Sequence, residues 1–393
     1  MLKNIRGKIC LTFVSLLICS MLLLACSIDL SQSAVSTPTD GISPDFATAT
    51  LPSQAQDNNA TPALPTISIP VTWTNLNLIG RLVYTSAHQE GNVAYLDIRV
   101  LDLASGKITV IFKAPPAGWI YFLTVSPDGK QLIMAYTQPP GANVTSHQEL
   151  YLLPLDGSKP PQLIFLPPSQ DDEYIQPDWS PDGKYIYFSH VNYQAAPVQK
   201  GAHYPLFEIY RMAYPGGQPE KLIEQAFWPR ISADSSRLAF ASLDPMTGNN
   251  KLYLANADGT GVTELALSGQ VVPDIIDAPE FSPDGQSLLF SAPIPAQSYI
   301  PPSSNWFEKM VGVSVASAHT VPSDWWSVPL KGGNPVQITH LQTTSLFASL
   351  SPDKKYIASY SGNGIFVMNP DGTGLTMLVG DLGGMPGTVS WIQ

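Results

Sequence analysis

A short turn that recurs along the chain constrains its fold more than any other feature. Five segments align: VSPDGKQLIMAY from Val125, WSPDGKYIYFSH from Trp179, ISADSSRLAFAS from Ile231, FSPDGQSLLFSA from Phe281 and LSPDKKYIASYS from Leu350. Their serines recur at intervals of 54, 52, 50 and 69 residues, the period of a repeat architecture, with one long insertion, rather than of a single packed core. Each turn lies between a short apolar segment and an alternating one, as in Tyr185 to Phe188, so each joins two strands. A second signature follows every copy: LYLLPLDGSKPPQLI, IYRMAYPGGQPEKLI, LYLANADGTGVTELA, WWSVPLKGGNPVQIT and IFVMNPDGTGLTMLV. Here Asp-Gly or Gly-Gly supplies the positive φ of a tight hairpin. Each repeat therefore encodes four antiparallel strands.

Four-stranded units at this period predict an all-β fold, a six-bladed β-propeller. Five repeats are complete. A sixth begins at Gly80-Arg-Leu-Val-Tyr-Thr and continues through IRVLDLASGKITVIF, but no first strand precedes it. Thr388-Val-Ser-Trp-Ile has the pattern of that missing strand, so the C-terminal strand is expected to pair with the first blade and close the ring. A seventh blade hidden in residues 293–325 is the rival reading, and that stretch has no second turn signature.

The SPDG runs at 126–129, 180–183 and 282–285 and the DGTG runs at 258–261 and 371–374 resemble the WD40-like β-propeller repeats of the TolB C-terminal domain. The resemblance covers nearly all of residues 79–392 and implies the fold. Similar repeats occur in periplasmic scaffolds, peptidase propellers and some sugar lyases, so the resemblance does not fix an activity. The chain departs from TolB in a lipobox-like N-terminus and in having no α/β domain ahead of the propeller.

That N-terminus reads as a signal. Lys3, Arg6 and Lys8 precede the apolar run 9–25, and Leu23-Leu-Ala-Cys26 resembles a bacterial lipobox. Residues 1–25 are expected to be removed and the Cys26 thiol to carry the lipid. The loss of three cations and no acid takes the formal charge from -11 to -14. The only other cysteines, Cys10 and Cys19, fall in the signal, so the exported part has no disulfide, zinc-thiolate site or cysteine nucleophile. Residues 26–70 are rich in Ser, Thr, Ala, Pro and Asn and read as the lipidated Cys and a disordered tether, with the propeller spanning 71–393. The expected location is extracytoplasmic, anchored to the cell membrane, or to the outer membrane in a cell that has one.

The acidic balance opposes nucleic-acid binding, which needs a basic stripe. No GxSxG elbow, HExxH pair or P-loop occurs, and no cofactor is expected. Serine and proline turns that recur in most blades serve the fold, whereas a catalytic group is usually unique. Function is therefore sought where the repeats differ, in the loops between second and third strands. By strand alternation these open on the same face as the links between blades. The longest lie near residues 190–205 and 293–324. Tyr299, Trp306, Phe307, Asp324, Trp325 and Trp326 on blade five, with Tyr193 and Tyr204 on blade three, are the expected contacts for a protein, peptide or glycan. The alternative is a metal-dependent carbohydrate lyase or hydrolase with His88, His190, His203 and His319 as ligands. Binding is favoured over catalysis.

Overall fold

Each SPDG segment closes its hairpin through the same hydrogen bonds. The computed structural model describes residues 64–91, 93–139, 147–192, 194, 206–244, 246, 249–293, 321–383 and 387–393. In the turns the serine hydroxyl donates to the aspartate two residues on, over 2.6 Å from Ser126 to Asp128 and 2.7 Å from Ser180 to Asp182. It also accepts the backbone N–H five residues on, from Gln131 and Tyr185. The aspartate accepts a further N–H, that of Lys130 or Lys184. These bonds hold the Asp128 and Asp182 carboxyls below the usual range, and the hydroxyls of Ser232 and Ser236 bring Asp234 down to about 2. The fourth turn position has positive φ, 66° at Gly129 and 72° at Gly183, where glycine carries no Cβ penalty. In the two degenerate copies Ser235 and Lys354 adopt φ 59° instead.

Six antiparallel sheets result. Blade one contains β1 (Thr66–Ser68), β2 (Arg81–Glu90), β3 (Val93–Asp102) and β4 (Lys107–Lys113). Blade two has β5 (Trp119–Val125), β6 (Gln131–Thr137), β7 (Glu149–Pro154) and β8 (Gln162–Leu163). Blade three has β9 (Asp172–Trp179), β10 (Tyr185–Asn192), β11 (Leu206–Ala213) and β12 (Glu220–Glu224). Blade four has β13 (Ala226–Ile231), β14 (Arg237–Leu243), β15 (Asn250–Asn256) and β16 (Thr263–Glu264). Blade five has β17 (Asp277–Phe281), β18 (Ser287–Pro293), β19 (Ser323–Pro329) and β20 (Val336–Gln337). Blade six has β21 (Phe347–Leu350), β22 (Ile357–Ser361), β23 (Gly364–Met368) and β24 (Thr376–Gly380). The last strand, β25 (Val389–Ile392), pairs with β2 from Arg81↔Ile392 to Tyr84↔Val389 and closes the ring as expected. Within blade five, Pro293 pairs directly with Ser323, so the long segment between them is an insertion in a hairpin.

One boundary shifts. β1 pairs with the outer edge of β4, Thr66↔Thr109 to Ser68↔Lys107, so residues assigned to the tether form a fifth strand on blade one. Beyond β1 the chain reaches Trp73, which is buried and donates its indole N–H to the Leu103 carbonyl.

The inner strands of adjacent blades do not pair through their backbones, so their inward N–H groups need other acceptors. At four junctions a side chain of the preceding blade provides one. Thr388 accepts the N–H of Leu123, Thr124 that of Trp179, Asp178 that of Ile231 and Ser349 that of Trp391. Gln176 adds a second acceptor, for Trp228. On the ring axis, Phe122, Trp228 and Phe347 from blades two, four and six meet with centroids 5.2 to 5.7 Å apart. Each precedes its turn serine by four residues. At the same place blades three and five carry Gln176 and Ala278, so large and small side chains alternate and the rings fill the axis.

Two residues nearer the turns, the corresponding positions are charged. Arg230 lies 3.0 Å from Asp178 and 3.4 Å from Glu280. Burial pushes Glu280 up to about 7, because one guanidinium is shared between two carboxylates and does not offset the lost hydration.

Candidate functional site

Strand alternation puts the SPDG and Asp-Gly turns on one face and the loops between second and third strands on the other. On the loop face, blades one to three each place a histidine beside acid.

In blade three, His190 is the central residue of a three-strand arrangement. Its Nε2 lies 2.7 Å from Asp172 Oδ1 on β9, and its Nδ1 lies 2.9 Å from Glu208 Oε2 on β11. Antiparallel register creates this, since His190 pairs with both Tyr174 and Glu208. Burial raises the Asp172 pKa, but hydrogen bonds from Ser169, His190 and Asn192 outweigh it and leave this carboxyl below its usual range. Lys221 donates to Glu208 over 3.0 Å and to Glu224 over 2.7 Å, and these bonds raise its own pKa. Tyr174 and Tyr210 flank the imidazole with centroids 5.5 and 5.3 Å away.

Blade one repeats the theme in a more open setting. His88 Nε2 lies 3.1 Å from Glu90 and Nδ1 3.2 Å from Asp97, while its ring stacks on Tyr95. Lys113 sits 2.7 Å from Glu90 and 4.2 Å above the Tyr95 ring, and Arg99 holds Asp97 at 2.9 Å. Hydrogen bonds from Lys113 and then His88 lower the Glu90 pKa. Blade two has a looser version. His147 is 3.9 Å from Glu173, and the Tyr151 hydroxyl donates to Glu149, whose pKa burial raises.

Blades five and six differ. Asp324 is fully buried and accepts the backbone N–H groups of Leu341 and Gln342 and the Thr339 hydroxyl, so it fixes the link to blade six. Burial raises its pKa against those bonds. Trp325 is 0% exposed and donates its indole N–H to Ser359 of blade six. Trp326 is 4% exposed and donates to the Ala292 carbonyl. The expectation that Asp324, Trp325 and Trp326 present themselves to a ligand on the rim is corrected here: all three are interior residues. Both faces of a blade pack against neighbours, so adjacent tryptophans on one strand are both covered. Tyr193, Tyr204, Tyr299, Trp306 and Phe307 lie outside the described residues, as do His203, His319 and Cys26.

The two described members of the metal alternative sit in separate blades. In His190 both ring nitrogens are hydrogen-bonded to carboxylate oxygens, whereas in His88 only Nε2 is, to Glu90. No group of three His, Cys, Asp or Glu residues able to hold a metal occurs among the described residues.

Sequence reasoning names Glu208 as a possible partner of the histidines but misses Asp172 beside His190 and the Asp178–Arg230–Glu280 cluster. The latter had a readable signal. All three residues stand two places before a turn serine, where blades two and six have Thr124 and Ser349.

No protein-family model matches this chain, and no curated protein is similar to it. Solved structures are. The chain is similar to hydrazine synthase of Kuenenia stuttgartiensis at 10% identity, over 79% of this chain and 46% of that one, with a TM-score of 0.53. It is similar to a chain of a nidogen/laminin complex at 12% identity, over 79% and 97%, with a TM-score of 0.52. TolB from Acinetobacter baumannii is 18% identical, and 79% of this chain covers 66% of that one with a TM-score of 0.49. At these identities the likeness is one of fold.

Proposed function

We propose that this is a lipid-anchored, extracytoplasmic binding or scaffold protein. It is held to the membrane through Cys26 and engages a protein, peptide or glycan with its loop-bearing face. The observation that carries this reading is the contrast between faces. The five repeats with an SPDG-type turn close the turn face with nearly the same hydrogen bonds, while on the loop face the blades differ and blades one to three concentrate histidine and acid. The fold does not require that variety, and rigid scaffolds present recognition groups on such loops. A metal-dependent lyase or hydrolase draws no support from His88 and His190, which lie in separate blades, His190 with both nitrogens hydrogen-bonded to carboxylates.

Trp306 and Phe307 are the test residues for the rim. Changing both to Ser is expected to lower partner capture by the full-length chain at least tenfold, as for interface aromatics worth about 2 kcal/mol or more, while leaving the melting temperature nearly unchanged. A large fall in melting temperature with capture intact would overturn this assignment. The anchor is tested separately: Cys26→Ala abolishes incorporation of radiolabelled lipid, and unchanged incorporation sinks it.

A further inference from the structure

The repeats provide an internal control for what the fold needs. In every blade, one pair of facing residues on the second and third strands occupies the same register position. The pairs are Val83↔Val100, Ile133↔Leu152, Ala239↔Leu254, Leu289↔Ser327 and Ala358↔Val367 in blades one, two, four, five and six. In blade three the pair is Tyr187↔Arg211. A strand position that four blades fill with two apolar residues has no structural need for a phenol and a guanidinium.

These two residues border a notch of about 340 Å³ between blades three and four on the turn face, with Tyr185, Asp182, Asn256 and Asp258 around it. The guanidinium is fixed in place. Arg211 Nε donates to Glu220 over 2.8 Å, Nη1 donates to the Ala257 carbonyl over 3.3 Å, and the group lies 4.5 Å from the Tyr185 ring centroid. The Tyr187 hydroxyl donates to the same carbonyl over 2.8 Å. Asp258 Oδ1 is taken by Thr260 of its own turn, and the remaining carboxylate oxygen is exposed at the lip.

We propose that this notch binds a neutral sugar of monosaccharide size. Its volume is at the low end of the roughly 300–1,000 Å³ of small-molecule sites. Its lining alternates carboxylate acceptors, amide and guanidinium donors and tyrosine rings, which suits a ligand covered in hydroxyls that both donate and accept. Charge excludes an acidic sugar or a phosphate. The Arg211 charge is matched by Glu220, which leaves the carboxylates of Asp182 and Asp258 at the opening, and only Asp182 has a lysine, Lys184, beside it at 3.2 Å.

The test is calorimetric titration of the full-length chain, in a detergent without a sugar headgroup, with glucose, galactose, mannose and N-acetylglucosamine, and with galacturonate as the anionic counter-probe. At least one neutral sugar binds at millimolar concentration or better, and galacturonate does not. Tyr187→Ile with Arg211→Leu imports the pair of blade two and abolishes binding. Because both residues also bridge to blade four, Asp258→Asn serves as the second variant: its amide oxygen still accepts from Thr260, so the turn and the melting temperature are kept, while loss of the exposed carboxylate oxygen as an acceptor weakens binding roughly tenfold. The proposal is overturned if no neutral sugar binds at tens of millimolar, if galacturonate binds equally well, or if Asp258→Asn leaves affinity unchanged. A double variant that only lowers the melting temperature, with no sugar bound by the parent, would mark Tyr187 and Arg211 as an interblade clamp.

Discussion

The two faces of this propeller follow opposite rules. On the turn face the same serine–aspartate bonds recur from blade to blade, and the Asp128 and Asp182 bonds differ by only 0.1 Å. On the loop face the equivalent facing pairs are His190↔Glu208 in blade three, Ser86↔Asp97 in blade one and Ala292↔Asp324 in blade five, and the acid of each pair meets different partners: His190 and Lys221, Arg99, or the backbone of the link to blade six. The contrast separates what the architecture demands from what a particular molecule uses. Where the five copies agree, the fold sets the residue; where one departs, packing alone does not explain it.

The strongest challenge to that division is to cut the ring. Deleting residues 386–393 removes β25, exposes the inner edge of β2 and strips Val389 and Trp391 from the core. The expected loss is roughly 4 kcal/mol or more from these two side chains alone, against almost none for removing residues 27–63. Equal melting temperatures for the two truncations would show that closure does not depend on this strand.

Next in size is Trp325→Ala, expected to cost about 3–5 kcal/mol because the indole is fully buried and bonded to Ser359. A denaturation midpoint matching the parent would return Trp325 to the list of rim contacts and blur the contrast between faces.

Glu280 sharpens the comparison along the axis. Its folded pKa of about 7 lies above its ordinary 4.5. The stability gained from binding a proton is complete below pH 4.5 and is lost as pH rises through 7. Glu280→Gln keeps the neutral shape at every pH. It should therefore stabilise the protein above pH 7 by about 2–3 kcal/mol, an advantage that disappears toward pH 4.5. Melting curves at pH 4.5, 6 and 8 check this, and a gain that does not vary with pH refutes it.

The smallest effect is expected on the turn face. Ser126→Ala, Ser180→Ala and Ser282→Ala should each cost about 1–2 kcal/mol, because each removes the same hydroxyl bonds. Urea titrations giving widely unequal losses would mean that the copies are not equivalent despite their geometry.

The architecture was readable because its signal is repeated. Five copies of one turn and five of a hairpin outweigh any ambiguity in a single strand, and even the displaced closing strand kept its Val-Ser-Trp pattern. Exposure was not readable. In β10, residues Ile186 to Val191 are buried without a break, and in β19 Ser323 to Trp326 are as well, so period-two alternation does not tell a core tryptophan from a rim tryptophan. The His190 arrangement needs Asp172 and Glu208, each eighteen residues away, and depends on strand register that the sequence does not spell out. β1 was hidden by its Ser-, Thr- and Pro-rich surroundings, which carry little apolar signal.

The side-chain acceptors on the inner strands have one more effect. Thr124, Asp178, Ser349 and Thr388 each satisfy a backbone donor belonging to the next blade, so no such blade is complete in its own hydrogen bonding. An open array of repeats can fray from its ends, each unit lost at the cost of one interface. A closed ring of mutually dependent units has no end to fray from. Opening any one of these junctions leaves a buried donor on its neighbour without an acceptor, so the blades are expected to unfold together in a single transition.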